Sequence, residues 1–282
     1  MGERRAADFV EGLGTAAMSS LAFVKAEANG NDFLLVEAAA VPPARRGALA
    51  RALCDRHRGL GADGVEYIAW RAGAAGFDLA LFNADGGEAE FSGNGTRCAA
   101  AWAAETRGWR EMGIGTAAGE KQARVLGRAG AAWRVETRMG APGAAREHEL
   151  ELLGRRLALA AFSMGNPQCC VLVEAFPDDW ERLGAALESH ALFPQRTNVE
   201  FVRPLDRHSI EIRIFERGVG VTQSSGTGSC AAAVTAIRAG RAASPVRVVA
   251  PGGEQEVEWA GGESEVRLRG PARIIASGTF RE

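Results

Sequence analysis

A short stretch that occurs twice constrains this chain more than any other feature. Residues 77–101 read FDLALFNADGGEAEFSGNGTRCAAA, and residues 210–233 read IEIRIFERGVGVTQSSGTGSCAAA. Each passes from an alternating apolar run through a glycine-rich turn into an alanine-rich run. With Ser92 placed on Ser225, Phe82 falls on Phe215, Gly87 on Gly220, Gly93 on Gly226, Gly95 on Gly228 and Ala99 on Ala232, without a gap. A single Ser-Gly-x-Gly says little, because glycines at that spacing serve any tight turn. Two copies with matching flanks point to a duplicated strand–turn–helix unit, and 282 residues suffice for two domains with a core each.

The duplication carries chemistry. The alanine-rich runs predict helices that stop at Gly108 and Gly240, so each glycine-rich turn opens a helix. The first turn of a helix leaves N–H groups unpaired and carries the positive end of the macrodipole, which attracts a carboxylate or phosphate. If the halves face each other, helices starting near Gly93-Asn94 and Gly226-Thr227 grip one small anion from both sides. Ser92 and Ser225 then flank whatever that anion is attached to, placed to take a proton from one face of a carbon and return one to the other.

The rest of the chain supplies mostly strands. LAFVKA and FLLVEA flank the turn AEANGND, Pro42-Pro43 opens a helix over about 44–54, and CCVLVEAF reads as a strand with one sulfur inward and one outward. DDWERLGAALESH predicts a helix capped by Asp178 or Asp179, with Trp180, Leu183 and Leu187 on one face. Gly140, Pro142 and Gly143 suggest a domain junction. Residues 1–20 have no sustained period and read as a dispensable extension. A net charge of -2 without a Lys/Arg stripe gives no reason to expect nucleic acid. Five cysteines without C-x-x-C or zinc spacing fit a reducing, cytoplasmic setting with no metal, and no run is long enough to cross a bilayer as a helix.

From about residue 21 the chain resembles the diaminopimelate epimerases. The resemblance rests on NGNDF at 29–33, CDRHRGLGADG at 54–64, FNADGGEAE at 82–90, SGNGTRC at 92–98, GNP at 165–167, TNVEF at 197–201, FERGVG at 215–220 and SGTGSC at 225–230. It implies an α/β (α+β) fold of two pseudo-symmetric domains, each an antiparallel sheet curled around a central helix. The expected boundaries are 21–138 plus 271–282 for the N-terminal domain and 139–270 for the C-terminal one. It further implies a cofactor-independent enzyme, plausible as a homodimer, that interconverts LL- and meso-diaminopimelate by two-base chemistry. Its substrate is an amino acid with two carboxylates. By position, the α-carboxylate falls on the backbone of Gly93, Asn94, Gly226 and Thr227, while Asn31, Asn83, Asn166, Asn198, Glu216 and Arg217 read the remainder. Arg217 suits a distal carboxylate and Glu216 an ammonium. For Asn29 a turn role fits better.

The chain departs from the family at the reacting groups. Ser92 and Ser225 stand where the family has catalytic cysteines, and GNPH ends here in Gln168. A thiol is easily tuned into a base, whereas a hydroxyl needs a strong neighbouring one, and neither serine has an evident base in its own motif. Cys98 and Cys230, inside the following helices, are expected to be inert core residues; Glu90, His57, His148, His190 and His208 are expected to be structural or solvated. Three alternatives stay open: a divergent racemase, epimerase or eliminating enzyme, a silent amino-acid-binding homologue, or serines introduced deliberately.

Overall fold

In the computed structural model, which describes residues 20–281, two halves share one plan: a curved sheet wrapped around an alanine-rich helix. In the first half, strands β1 (Ser20–Ala28) and β2 (Asn31–Glu37) form a hairpin. Its turn residues Asn29 and Gly30 both take left-handed φ, 55° and 78°, which is the geometry Asn and Gly tolerate best. Helix α1 (Pro43–Cys54) starts with proline in its first turn, where no N–H is missed. Strands β3 (Gly64–Trp70), β4 (Gly76–Asn83) and the short β5 (Glu88–Ala89) lead to helix α2 (Gly93–Arg107), which Gly108 ends in the left-handed conformation. Strands β6 (Glu111–Thr116), β7 (Gly119–Ala129) and β8 (Ala132–Gly140) complete the set.

The second half repeats the order. Strands β9 (Arg146–Leu152), β10 (Arg155–Ser163) and β11 (Pro167–Leu172) precede helix α3 (Trp180–Glu188), then β12 (Asn198–Asp206), β13 (Ser209–Glu216) and the short β14 (Gly220–Thr222) lead into helix α4 (Gly226–Arg238). Strands β15 (Val246–Ala250) and β16 (Gly253–Glu258) follow, and β17 (Val266–Arg281) returns across the molecule. It pairs with β16 of the second half and with β8 and β1 of the first, so the two sheets are continuous.

Pairing is mostly antiparallel, with two parallel pairs at matching places in each half: β2 with β3 and β4 with β6, then β11 with β12 and β13 with β15. Each of these pairs is separated in sequence by one of the four helices, and a helical crossover brings the chain back in the same direction. The registers match too, with Phe33 opposite Gly64 in one half and Gln168 opposite Asn198 in the other.

Alanine lets the sheets close tightly on the central helices. Ala99, Ala100, Ala101 and Ala103 of α2 pack among Phe33, Leu35, Phe77 and Val135, and Ala231, Ala232, Ala233 and Ala236 of α4 among Ile212, Ile214, Val246 and Leu268. The outer helices cover the other faces, Leu183 and Leu187 of α3 lying on Leu159, Val171 and Phe201. That layer corrects the expectation for Cys169-Cys170. The two do point to opposite faces, but both are buried, Cys170 toward α4 and Cys169 under α3. Asp179 does precede α3 but makes no side-chain cap; its carboxylate accepts instead from Arg155 Nη2 at 2.9 Å. The expected extension, apart from Ser20, lies outside the described residues, and no described helix is long and apolar enough to cross a membrane.

Candidate active site

The two central helices begin against each other. A Cβ added to Gly93 would lie 3.2 Å from Gly226 Cα, and one added to Gly226 would lie 3.0 Å from Gly93 Cα, so only glycine allows this approach. Leu268 of β17 packs against both glycines. Ser92 and Ser225 are the N-caps: Ser92 Oγ accepts from Gly95 N–H at 3.1 Å and Ser225 Oγ from Gly228 N–H at 3.2 Å. The N–H groups of Gly93, Asn94, Gly226 and Thr227 have no acceptor among the described residues. Four free donors and two positive helix ends at one point are an arrangement that attracts an anion.

Behind this site lies a buried polar network. The side chain of Asn94 donates to Asn31 Oδ1 at 3.2 Å and Ser224 Oγ at 3.1 Å, and it accepts from Arg97 at 2.7 Å and Gln255 at 3.1 Å. Asn31 in turn donates to Asp63 at 2.7 Å. Arg97 is fully buried without a carboxylate partner; its guanidinium donates to Asn29, Asn94 and the carbonyls of Gly93 and Pro271. Burial lowers its pKa to about 10, yet it stays cationic at neutral pH, directly behind the anion site. Asn29 thus combines its turn role with a tie between β1, α2 and β16.

On the other side, Asn166 Nδ2 donates to Thr227 Oγ1 at 3.3 Å. Asn198 Oδ1 accepts from the Arg217 N–H at 3.0 Å, and its Nδ2 donates to the Pro167 carbonyl at 3.0 Å, so this asparagine fixes two loops of the wall. Asn166, Gln168 and Arg217 line a cleft of about 450 Å³ with Glu90, Arg146 and Gln195. Arg217 Nη1 donates to the Gln195 carbonyl at 3.4 Å. Asn83 is the exposed last residue of β4, opposite Gly64, and its side chain makes no hydrogen bond among the described residues.

The two serines differ in their neighbours. Burial raises the pKa of Glu216, and the hydroxyls of Ser225 and Thr222 beside its carboxyl oppose that rise. Ser225 therefore has a carboxylate next to it. At the matching place beside Ser92 the repeat has Asn83. Cys98 and Cys230 lie fully buried in the helix cores, burial pushing the Cys230 thiol up to about 12 and the Cys98 thiol well above its usual range.

Sequence reasoning missed a matched pair of buried acids. Glu66 and Glu200 are both inaccessible, and burial raises each to about 8. Each sits under the third residue of a central helix: a Cβ on Gly95 would meet Glu66 Oε1 at 1.9 Å, and one on Gly228 would meet Glu200 Oε1 at 2.7 Å. A signal existed, since Val65-Glu66-Tyr67 and Val199-Glu200-Phe201 repeat Val-Glu-aromatic. Among the described residues no three His, Cys, Asp or Glu side chains gather as metal ligands.

Comparison with known proteins places this geometry. The family described as diaminopimelate epimerase matches residues 23–144 and 160–275. A diaminopimelate epimerase of Synechococcus sp. is 39% identical over 94% of this chain and 99% of its own length, and one from Moorella thermoacetica is 36% identical over 92% and 98%. A PhzF-family phenazine biosynthesis protein of Bacillus anthracis shares the fold with a TM-score of 0.72 at 15% identity, covering 94% of this chain and all of its own. A hydroxyproline epimerase from Agrobacterium vitis gives 0.66 at 16%, covering 93% and 92%. The sheet-wrapped helix pair is thus that of an isomerase of the racemase and epimerase class. Within that class, the chain belongs to the diaminopimelate epimerase family.

Proposed function

We infer that this protein is an amino-acid epimerase acting on diaminopimelate, with Ser92 and Ser225 as its two proton-transfer groups. The observation that carries this reading is the contact of Gly93 with Gly226, which sets a capping hydroxyl at the start of each helix around one set of four free N–H donors. An α-carboxylate held there has its α-carbon between the hydroxyls, and charge delocalised into the carboxylate on deprotonation is met by fixed donors. On one face the Ser225 oxygen takes the α-proton as its own proton passes to Glu216. On the other face Ser92 delivers its hydroxyl proton to the carbon and recovers one from water. Arg217, held by the Gln195 carbonyl, is the cation for the distal carboxylate.

Because only Ser225 has a carboxylate neighbour, the reading makes the two faces unequal. A positioned acid or base contributes about 10²–10⁴-fold in rate, so the serine enzyme is slow relative to a cysteine one. The test is α-deuterium incorporation from D₂O into LL-diaminopimelate, followed by NMR. Wild type should exchange slowly, and Ser92→Cys/Ser225→Cys should exchange faster by at least about 10²-fold. Glu216→Gln should lose the rise in rate that accompanies ionisation of a carboxyl above its ordinary range. Tight binding without exchange in either protein would favour a binding homologue, and absence of binding in both would remove diaminopimelate as the ligand.

A further inference from the structure

The halves match closely enough that their differences are informative. Glu66 and Glu200 occupy equivalent places on β3 and β12, each beneath a central helix. Two residues back along the same ladders, opposite Gly64 and Asn198, the repeat has Phe33 in one half and Gln168 in the other. Glu66 consequently has no hydrogen-bond partner at either oxygen. Glu200 has partners: besides the Cys170 thiol, an end of the Gln168 amide lies 2.9 and 3.2 Å from its two oxygens. The amide's other end lies 2.6 Å from Asn166 Oδ1 and 3.3 Å from Thr227 Oγ1.

The direction of this chain depends on one proton. With the Gln168 carbonyl toward Glu200, two oxygens 2.9 Å apart require a proton between them, which a protonated Glu200 donates. Gln168 N–H then goes to Asn166, Asn166 N–H goes to the Thr227 oxygen, and the Thr227 O–H is not taken up by the chain. With Glu200 ionised the amide turns round. Its N–H then serves the carboxylate, its carbonyl takes up the Thr227 hydroxyl, and Asn166 must reverse as well.

We propose that Glu200 is a positioning residue whose proton sets the Gln168–Asn166–Thr227 chain so that the Thr227 hydroxyl is free for the bound carboxylate. Burial raises its pKa, a weak thiol bond from Cys170 at 3.6 Å opposes the rise, and the charge of Glu216 on β13 adds to it. Helix α4 brings Gly228 against the carboxyl. Glu200 thus holds its proton at neutral pH and releases it at about pH 8. The proposal rests on the carboxylate site described above, but the chain itself exists without any ligand.

The test therefore has a ligand-free arm. In protein carrying ¹³C at the glutamate carboxyls, the Glu200 signal, assigned with Glu200→Gln, should titrate near neutral-to-alkaline pH. The side-chain amide signals of Gln168 and Asn166 should move with the same midpoint. Glu200 titrating in the ordinary carboxylate range, or the amides ignoring its titration, would overturn the proposal. In the second arm, calorimetry with meso-diaminopimelate should show affinity falling about tenfold through that midpoint in wild type and Glu66→Gln, beyond any fall seen in Glu200→Gln. Glu200→Gln keeps an N–H toward Gln168 at every pH, so an equal fall in that variant would also overturn it. If diaminopimelate binds to none of these proteins while the amides follow Glu200, the substrate reading fails and the relay stands.

Discussion

Glu66 is a fully buried carboxyl with both oxygens unpartnered, an arrangement that costs about 1–3 kcal/mol relative to an apolar side chain of similar shape. Burial raises its folded pKa to about 8, whereas an unfolded chain ionises it near the ordinary glutamate value of 4.5. Above about pH 4.5 the unfolded state then binds fewer protons than the folded one. The stability this group contributes is complete below that pH and is lost as pH rises toward about 8. Glu66→Met should raise the urea midpoint at pH 8 more than at pH 5, and equal midpoints for variant and wild type at both would show that the carboxyl is not the burden described. Neither acid was legible as buried from sequence. Alternation in VEYIAW and VEFVRP reads as a half-exposed strand, and only the helix packed on each strand's second face turns those positions inward.

At the scale of elements, the central helices were legible because every local signal agreed: alanine runs, glycine stops and a serine before each first turn. Their caps were not separable from chemistry in the sequence, and the hydroxyls that cap the helices are the ones we propose to move protons. A thiol accepts a hydrogen bond more weakly than a hydroxyl, so Ser92→Cys/Ser225→Cys should lower stability even as it speeds exchange. Losing a serine cap costs about 1 kcal/mol, and two independent caps about twice that. Thermal melts of the single and double variants measure this, and an unchanged melting temperature would mean the caps contribute nothing. The parallel pairings were less legible, because a crossover helix such as α1 or α3 gives no sequence signal of which neighbour its strand joins.

Across the whole molecule, β17 is the element shared by both halves, and Arg269 on it is the main ionic tie. Its guanidinium meets Glu136 of β8 at 2.6 Å and Glu256 and Glu258 of β16 at 2.7 and 2.5 Å. Glu136 is 5% exposed; burial alone would raise its pKa, and the Arg269 hydrogen bond outweighs that and lowers it. Its contribution is present above the ordinary carboxylate range and disappears as pH falls through the depressed folded value. Arg269→Met should therefore cost about 3 kcal/mol at neutral pH, less as acid protonates Glu136. Urea titrations at neutral and acid pH decide it, and a pH-independent difference would count against the ionic explanation. The repeat made the two-half plan readable, and the family resemblance returned residues 271–282 to the first half; that this return is one unbroken strand from Val266, paired with both halves, came only from the structure.

That shared strand also fixes when the site comes into being. Leu268 is the floor under Gly93 and Gly226, so a nascent chain stalled short of that residue on the ribosome has both helices and no floor beneath their meeting point. The packing beneath the two helix starts is complete only once both halves have emerged and β17 lies between them.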